Sequence, residues 1–170
     1  MSRQGETPIV MAGSHVVLGV AAWTWAAPHL GLPSLNPAAI ALATAGALLP
    51  DIDHPGSWVG RRLRWISRPL AATIGHRGVT HSLFAVLACL VFLRWQGWSR
   101  AAIDPVVVGY LSHLAADLLT TRGLRLSWPS PQRQAIGLCR TGSLTESVIV
   151  VGVAISTGAH VLQFHRAIGL

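Results

Sequence analysis

Six carboxylates occur in this chain of 170 residues, and four of them stand near histidines in or beside apolar stretches. Asp51 and Asp53 lie in Leu49-Pro-Asp-Ile-Asp-His-Pro55, Asp117 closes His113-Leu-Ala-Ala-Asp117, and Glu146 opens the last apolar run. His76 and His81 belong to Gly75-His-Arg-Gly-Val-Thr-His-Ser82, and His15 stands alone in the first apolar run. Carboxylate and imidazole together are the donors that bind Zn²⁺, Mn²⁺ or Fe²⁺ in preference to Ca²⁺. Ionisable groups inside apolar segments are costly and are retained where they do something.

The spacing sharpens some of these positions. His113 and Asp117 are four apart, so a helix puts both on one face and within reach of one ion. An interhelical hydrogen bond from His113 is the plain alternative. In the acidic motif, two carboxylates and His54 fall within four residues, and a proline on either side restricts the backbone. Asp51 and Asp53 could flank or bridge cations, Asp53 could instead orient a ligating histidine, or the motif could be a polar cap between helices. Around His76 the glycines allow close approach, and Thr80 is expected to cap a helix that His81 begins. Arg77 suits a substrate phosphate or carboxylate, or serves only to fix topology. Glu146 is read as a metal ligand or general base, with a helix-dipole partner as its rival. His15 is a ligand or a packing partner.

Elements must deliver these groups to one place. Half the chain is hydrophobic (51%), 11% is charged, and mean hydropathy is +0.50. Soluble domains carry about 25% charged residues, so the composition points to lipid. Apolar segments are expected from about Pro8 to Ala27, Pro37 to Leu49, Thr80 to Trp95, Ala101 to Leu119 and Leu144 to Phe164. The second is short for a bilayer core of about 30 Å, which takes about 20 helical residues. It is therefore a half-span, or a tilted helix continuing into the acidic motif. Seven tryptophans near segment ends suit an interfacial belt. Gly109, Ser112, Ala115 and Ala116 give the fourth helix a small-residue face suited to close packing.

All the basic side chains are arginine, and they concentrate in two connections, Pro55 to Gly78 and Thr120 to Gly142. The net charge of +7 is thereby explained by membrane topology and anionic headgroups, and a nucleic-acid partner is set aside. By the positive-inside rule both connections are cytoplasmic. The N-terminus is then inside, the segments cross five times, and every candidate ligand falls toward the cytoplasmic face. Cys89 and Cys139 are too few and too dissimilar in setting for a disulfide framework. No cleavable signal peptide is expected.

At these residues the chain resembles the YdjM-like, membrane-bound, metal-dependent hydrolases of bacterial inner membranes. The resemblance runs through the acidic motif, Gly60 with Arg62-Leu and Trp65-Ile-Ser67, Gly75-His-Arg-Gly, Thr80-His-Ser-Leu83, Gly109-Tyr-Leu-Ser-His113, Ala116-Asp117, Trp128-Pro129 and Glu146. It implies a helical fold and a metal. The family's distant similarity to zinc-dependent phospholipase C and P1-type nucleases further implies phosphoester hydrolysis, an analogy of fold alone.

The expectation is a single all-α, polytopic membrane domain over residues 1–170, with four to five membrane helices. Its site would face the cytoplasm from the inner membrane. Two or more divalent ions, zinc or manganese first, would be held by His15, Asp51, Asp53, His54, His76, His81, His113, Asp117 and Glu146. Asp53, Arg77 and Glu146 are the catalytic candidates, acting on a lipid-like phosphorylated substrate drawn from the membrane lipids. The alternatives are a metal-ion or proton-coupled transporter, and a non-catalytic membrane protein stapled by a metal. Oligomeric state is not encoded in any motif.

Overall fold

The computed structural model describes residues 8–74 and 78–167. Among them the regular structure is helical, with two isolated β-bridges and no strand. The chain runs α1 (Pro8–Ala26), α2 (Pro37–Leu48), α3 (Trp58–Arg62), α4 (Arg64–Ile74), α5 (Leu83–Trp95), α6 (Arg100–Leu119) and α7 (Leu144–Ala167). The five apolar segments thus fold as α1, α2, α5, α6 and α7, within three residues of their expected starts and ends. The arginine-rich connection is not a plain loop, because it folds as α3 and α4.

α1, α2 and α6 form the centre, and small residues let them meet. A Cβ on Gly109 would sit 2.0 Å from the Ala43 carbonyl oxygen, one on Gly46 2.1 Å from that of Val106, and one on Gly19 2.6 Å from the Ala47 Cβ. Backbones this close hold apolar helices together where lipid removes the usual hydrophobic drive. The expected small face of α6 is therefore used through Gly109 and Ser112, while Ala115 stays exposed. α5 packs on α6, and α7 packs on α1.

The expected tryptophan belt needs one correction. Trp23 is fully buried among Ala27, Ala39 and Ala43, because the small residues of α2 leave a space its ring fills. Trp65 and Trp95 are well exposed, and Trp25 donates from Nε1 to Thr157 Oγ1 at 3.2 Å and stacks on His160.

α2 ends at Leu48, and Pro50–Asp53 forms a single 3-10 turn in place of a continued helix. Pro50 has no N–H to extend the ladder. α3 and α4 pack beneath this turn. Ser57 caps α3 by accepting from Gly60 N at 2.9 Å and donates to the Asp51 carbonyl at 2.8 Å, which ties the acidic turn to the helix pair. A second 3-10 turn, Val79–His81, precedes α5. The connection from Thr120 folds back over the end of α6, where Ile136 N and Leu138 N donate to the Leu118 and Leu119 carbonyls. Those carbonyls have no partner within the helix.

α6 and α7 are long and apolar enough to cross a membrane. α7 has twenty-four residues, and its Val148, Val151, Ile155 and Leu162 are exposed. On α5, Leu83, Phe84, Leu87, Val91 and Phe92 are likewise exposed. Rows of large apolar side chains facing outward from two flanking helices suit a lipid surround.

Candidate metal centre

The packing brings four helix ends to one end of the bundle: the start of α1, the turn after α2, the turn before α5 and the end of α6. His15, Asp51, His81, His113 and Asp117 meet there. His81 and His113 are fully buried, Asp117 is 2% exposed and His15 8% exposed.

His113 is held by α2. Its Nδ1 lies 2.7 Å from the Ala47 carbonyl oxygen, so Nδ1 carries the proton and Nε2 turns its lone pair toward the cluster. Ala47 sits in the last turn of α2, where carbonyls run out of helical partners.

His81 is held by a relay. Its Nδ1 stands 3.1 Å from Thr80 Oγ1, which donates a short hydrogen bond to Asp53 Oδ2. Asp53 Oδ2 is itself 3.5 Å from that Nδ1, and Asp53 is 1% exposed. Carboxylate behind imidazole fixes the tautomer and raises the basicity of the other nitrogen. Tyr110 donates to the Thr80 carbonyl at 2.7 Å and clamps this turn to α6.

The two Nε2 atoms are 3.3 Å apart. Asp117 Oδ2 is 3.6 Å from His81 Nε2 and 3.8 Å from His113 Nε2, and Asp51 Oδ1 is 3.9 Å from each. Zn–N bonds of about 2.0–2.1 Å in a tetrahedron put neighbouring donors roughly 3.3 Å apart. The donor types and separations would suit a divalent ion held by Asp51, His81 and His113, with Asp117 Oδ2 close to both histidine nitrogens. On the other side of Asp117, Oδ1 is 3.7 Å from His15 Nε2, and the His15 and His113 rings stack at 3.8 Å. Asp117 thus faces both donor groups, His15–His113–Asp117 and Asp51–His81–His113.

Other expected positions fall differently. Asp53 stands behind His81 as its orienting carboxylate and belongs to neither donor group. His54 also belongs to neither: it follows the acidic turn, half-buried, with its ring against Gly56. Thr80 does not cap α5. Ser82 does, accepting from Ala85 N at 3.3 Å, because His81 is still in the 3-10 turn and the helix starts at Leu83. Glu146 Oε2 accepts from Gly142 N at 2.6 Å, and Ser143 Oγ accepts from Glu146 N at 3.3 Å, which is a capping-box arrangement at the start of α7. Glu146 nonetheless lines a small cleft with His15, Asp117, Thr120, Cys139 and Thr141. His76 and Arg77 lie outside the described residues.

Tyr110, Thr80 and Thr141 are the residues that sequence reasoning left without a site role. Thr80 and Tyr110 stood in motifs, Thr80 assigned to a cap and Tyr110 to no role, and nothing in the sequence singles out Thr141. Cys89 and Cys139 are free thiols.

A buried histidine–aspartate cluster at one end of a bundle with outward apolar helices defines a helical membrane protein whose buried donors could hold a metal ion. Comparison with known sequences places it more narrowly: residues 10–169 match the model of the YdjM inner membrane protein family, and the chain belongs to that family. It is 54% identical over 87 residues to "Inner membrane protein YdjM" of Escherichia coli K12, covering 48% of this chain and 44% of that one. The Shigella flexneri protein of the same name matches equally. "Uncharacterized protein YvsG" of Bacillus subtilis is 32% identical over 146 residues, covering 85% of this chain and 89% of that one. The chain spans less than half the length of the two YdjM relatives. No solved structure matches.

Proposed function

We propose that the chain is a membrane-embedded, metal-dependent hydrolase that cleaves a phosphoester of a lipid-type substrate from the cytoplasmic side of the inner membrane. The observation that carries this reading is the pair of donor groups that share His113, Asp51–His81–His113 and His15–His113–Asp117, with His81 and His113 fixed from behind. A divalent ion there would supply Lewis acidity and a water acidified toward neutral pH. The protein's own part is to hold the donors rigid, keep both Nε2 atoms deprotonated and exclude bulk water. Asp51, whose side chain is 21% exposed, is the donor nearest solvent and marks the open side. Arg77 is assigned the substrate's negative charge, and Asp53 positions His81. A second ion beside His15 would use the other oxygen of Asp117.

The burial of His81 and His113 also favours a second reading, a closed structural metal that staples α2, α5 and α6. Intramembrane histidine and aspartate would suit a transporter too, but transport sites sit near the midplane between broken helices, and this cluster sits at helix ends.

Elemental analysis of the detergent-purified protein, run beside a phosphate-release screen of phospholipids and polyprenyl phosphates, tests the proposal. Expected are one or more zinc or manganese ions per chain and turnover that a chelator abolishes. Asp117→Asn separates the readings: a catalytic centre loses turnover while helical content survives, whereas a staple loses metal and fold together. Metal-free active protein would sink both.

A further inference from the structure

Three helix faces converge on the His15 side of the centre and leave an apolar groove. α1 contributes Leu18, Ala22 and Trp25, α6 contributes Ser112, Ala115 and Leu119, and Val153 of α7 faces them across a volume of about 360 Å³. Leu18, Ala116 and Leu119 also line the small cleft that holds His15, Asp117 and Glu146, so the groove adjoins the candidate site. On α7 the cleft and groove positions Glu146, Ile149, Val150 and Val153 recur at helical spacing on one face. The exposed Val148, Val151 and Ile155 occupy other faces.

The groove exists because α7 is tied to α1 while α6 presents small side chains. The Trp25–Thr157 hydrogen bond and the Trp25–His160 stack pin α7 to α1 at the far end. At the near end, two polar atoms buried in the cleft walls, His15 Nδ1 and Thr141 Oγ1, make no hydrogen bond among the described residues. Buried polar atoms without partners call for a ligand or water, and the cleft's volume of about 30 Å³ admits a water-sized group. The shape is an apolar channel with a polar end at the donor cluster.

We infer that this groove holds one hydrocarbon chain of a membrane phospholipid, with its ester-bearing end directed toward the cleft that His15 and Thr141 line. This rests on the lipid-hydrolase reading above and adds where the substrate's chain lies.

A phospholipid carrying a photoreactive group in mid-chain, incorporated with the purified full chain in phosphatidylglycerol vesicles, tests the assignment. Crosslinks are mapped by peptide mass spectrometry and metal content is measured on the same samples. Labelling is expected on the groove residues of α1, α6 and α7. It should fall at least fivefold in Ala115→Leu, a position exposed in the wild type, and in Val153→Trp from the opposite wall, with metal content unchanged. Two plugs on different helices guard against one variant misfolding, which helical content and vesicle reconstitution report. Equal labelling of the outer faces of α5 and α7, insensitive to either plug, would overturn the inference, as would finding the groove crosslinked to a second copy of the chain. Plug-sensitive labelling in a protein that carries no metal would uphold the groove while removing the hydrolase reading.

Discussion

His81 Nε2 faces His113 Nε2 across 3.3 Å while each ring has its Nδ1 engaged, that of His113 at the Ala47 carbonyl and that of His81 at Thr80. Two imidazole lone pairs aimed at one another repel unless something positive lies between them. Asp117 and Asp51 bring negative charge to the same point. Burying such groups costs several kcal/mol per ion unless they are compensated, and a divalent cation among them would supply that compensation.

The relay behind His81 gives the first prediction. Asp53 and Thr80 stand behind His81 and set which of its nitrogens is protonated. Asp53→Asn and Thr80→Val should each weaken metal affinity by about 10–100-fold, the range for groups behind a metal ligand. Because both act through one ring, the double variant should lose little more than the worse single one. Metal titration with a competing chelator measures this, and fully additive losses would assign the two residues separate roles.

Glu146 separates capping from catalysis. Its carboxylate accepts from Gly142 N at the start of α7, a role that glutamine keeps in geometry and loses only in charge. Glu146→Gln should retain metal, hold turnover within about threefold, and cost no more than about 1 kcal/mol in thermal unfolding, the scale of a helix-dipole interaction. A general base would be exposed by a rate loss of about 10²-fold or more. Rate and melting curves on one preparation decide between them.

Gly109 couples packing to the centre. A side chain there meets the Ala43 carbonyl oxygen at 2.0 Å and the Ala47 nitrogen at 2.9 Å, so it wedges α6 from α2 one turn away from His113. Gly109→Val should lower stability by about 1–3 kcal/mol or more through overpacking. It should also weaken metal binding, because the Ala47 carbonyl that orients His113 moves with α2. Thermal unfolding with and without added zinc reads both effects. A variant that melts early yet binds metal normally would uncouple the packing contact from the site.

The helices were legible because long apolar runs are strong signals, and α2 opens at Pro37 behind an Asn36 side chain that caps it by accepting from Ala38 N. His113 and Asp117 were legible because four-residue spacing fixes a shared face. Long-range partners were not. Nothing local distinguishes Asp51, which faces the cluster, from Asp53, which stands behind it, since a 3-10 turn rotates neighbours differently from a helix. Glu146 shared its depth with the ligands, but a capping box a few residues long satisfied it first. α3 and α4 were hidden because their arginines read as a loop, although Ser57 three residues before Gly60 is a start signal.

Topology supplies the last prediction, and helix length decides how it is posed. α6 with twenty residues extends about 30 Å at 1.5 Å per residue, matching a hydrocarbon core. α2 with twelve and α5 with thirteen reach only about 18–20 Å. If all five apolar helices cross, α2 and α5 must end short of one surface, and the 3-10 turns carrying Asp51 and His81 are where they stop. The donor cluster would then lie at the foot of a depression under the cytoplasmic headgroups, roofed by α3 and α4 with exposed Arg61, Arg64 and Arg68. In a background with Cys89 and Cys139 replaced, Arg64→Cys should react with a membrane-impermeant maleimide only in inside-out vesicles. Thiols placed in the connection between α1 and α2, at Ser34→Cys, should react only from the outside. Reaction of Arg64→Cys from the outer side would invert the orientation and put the centre at the other face.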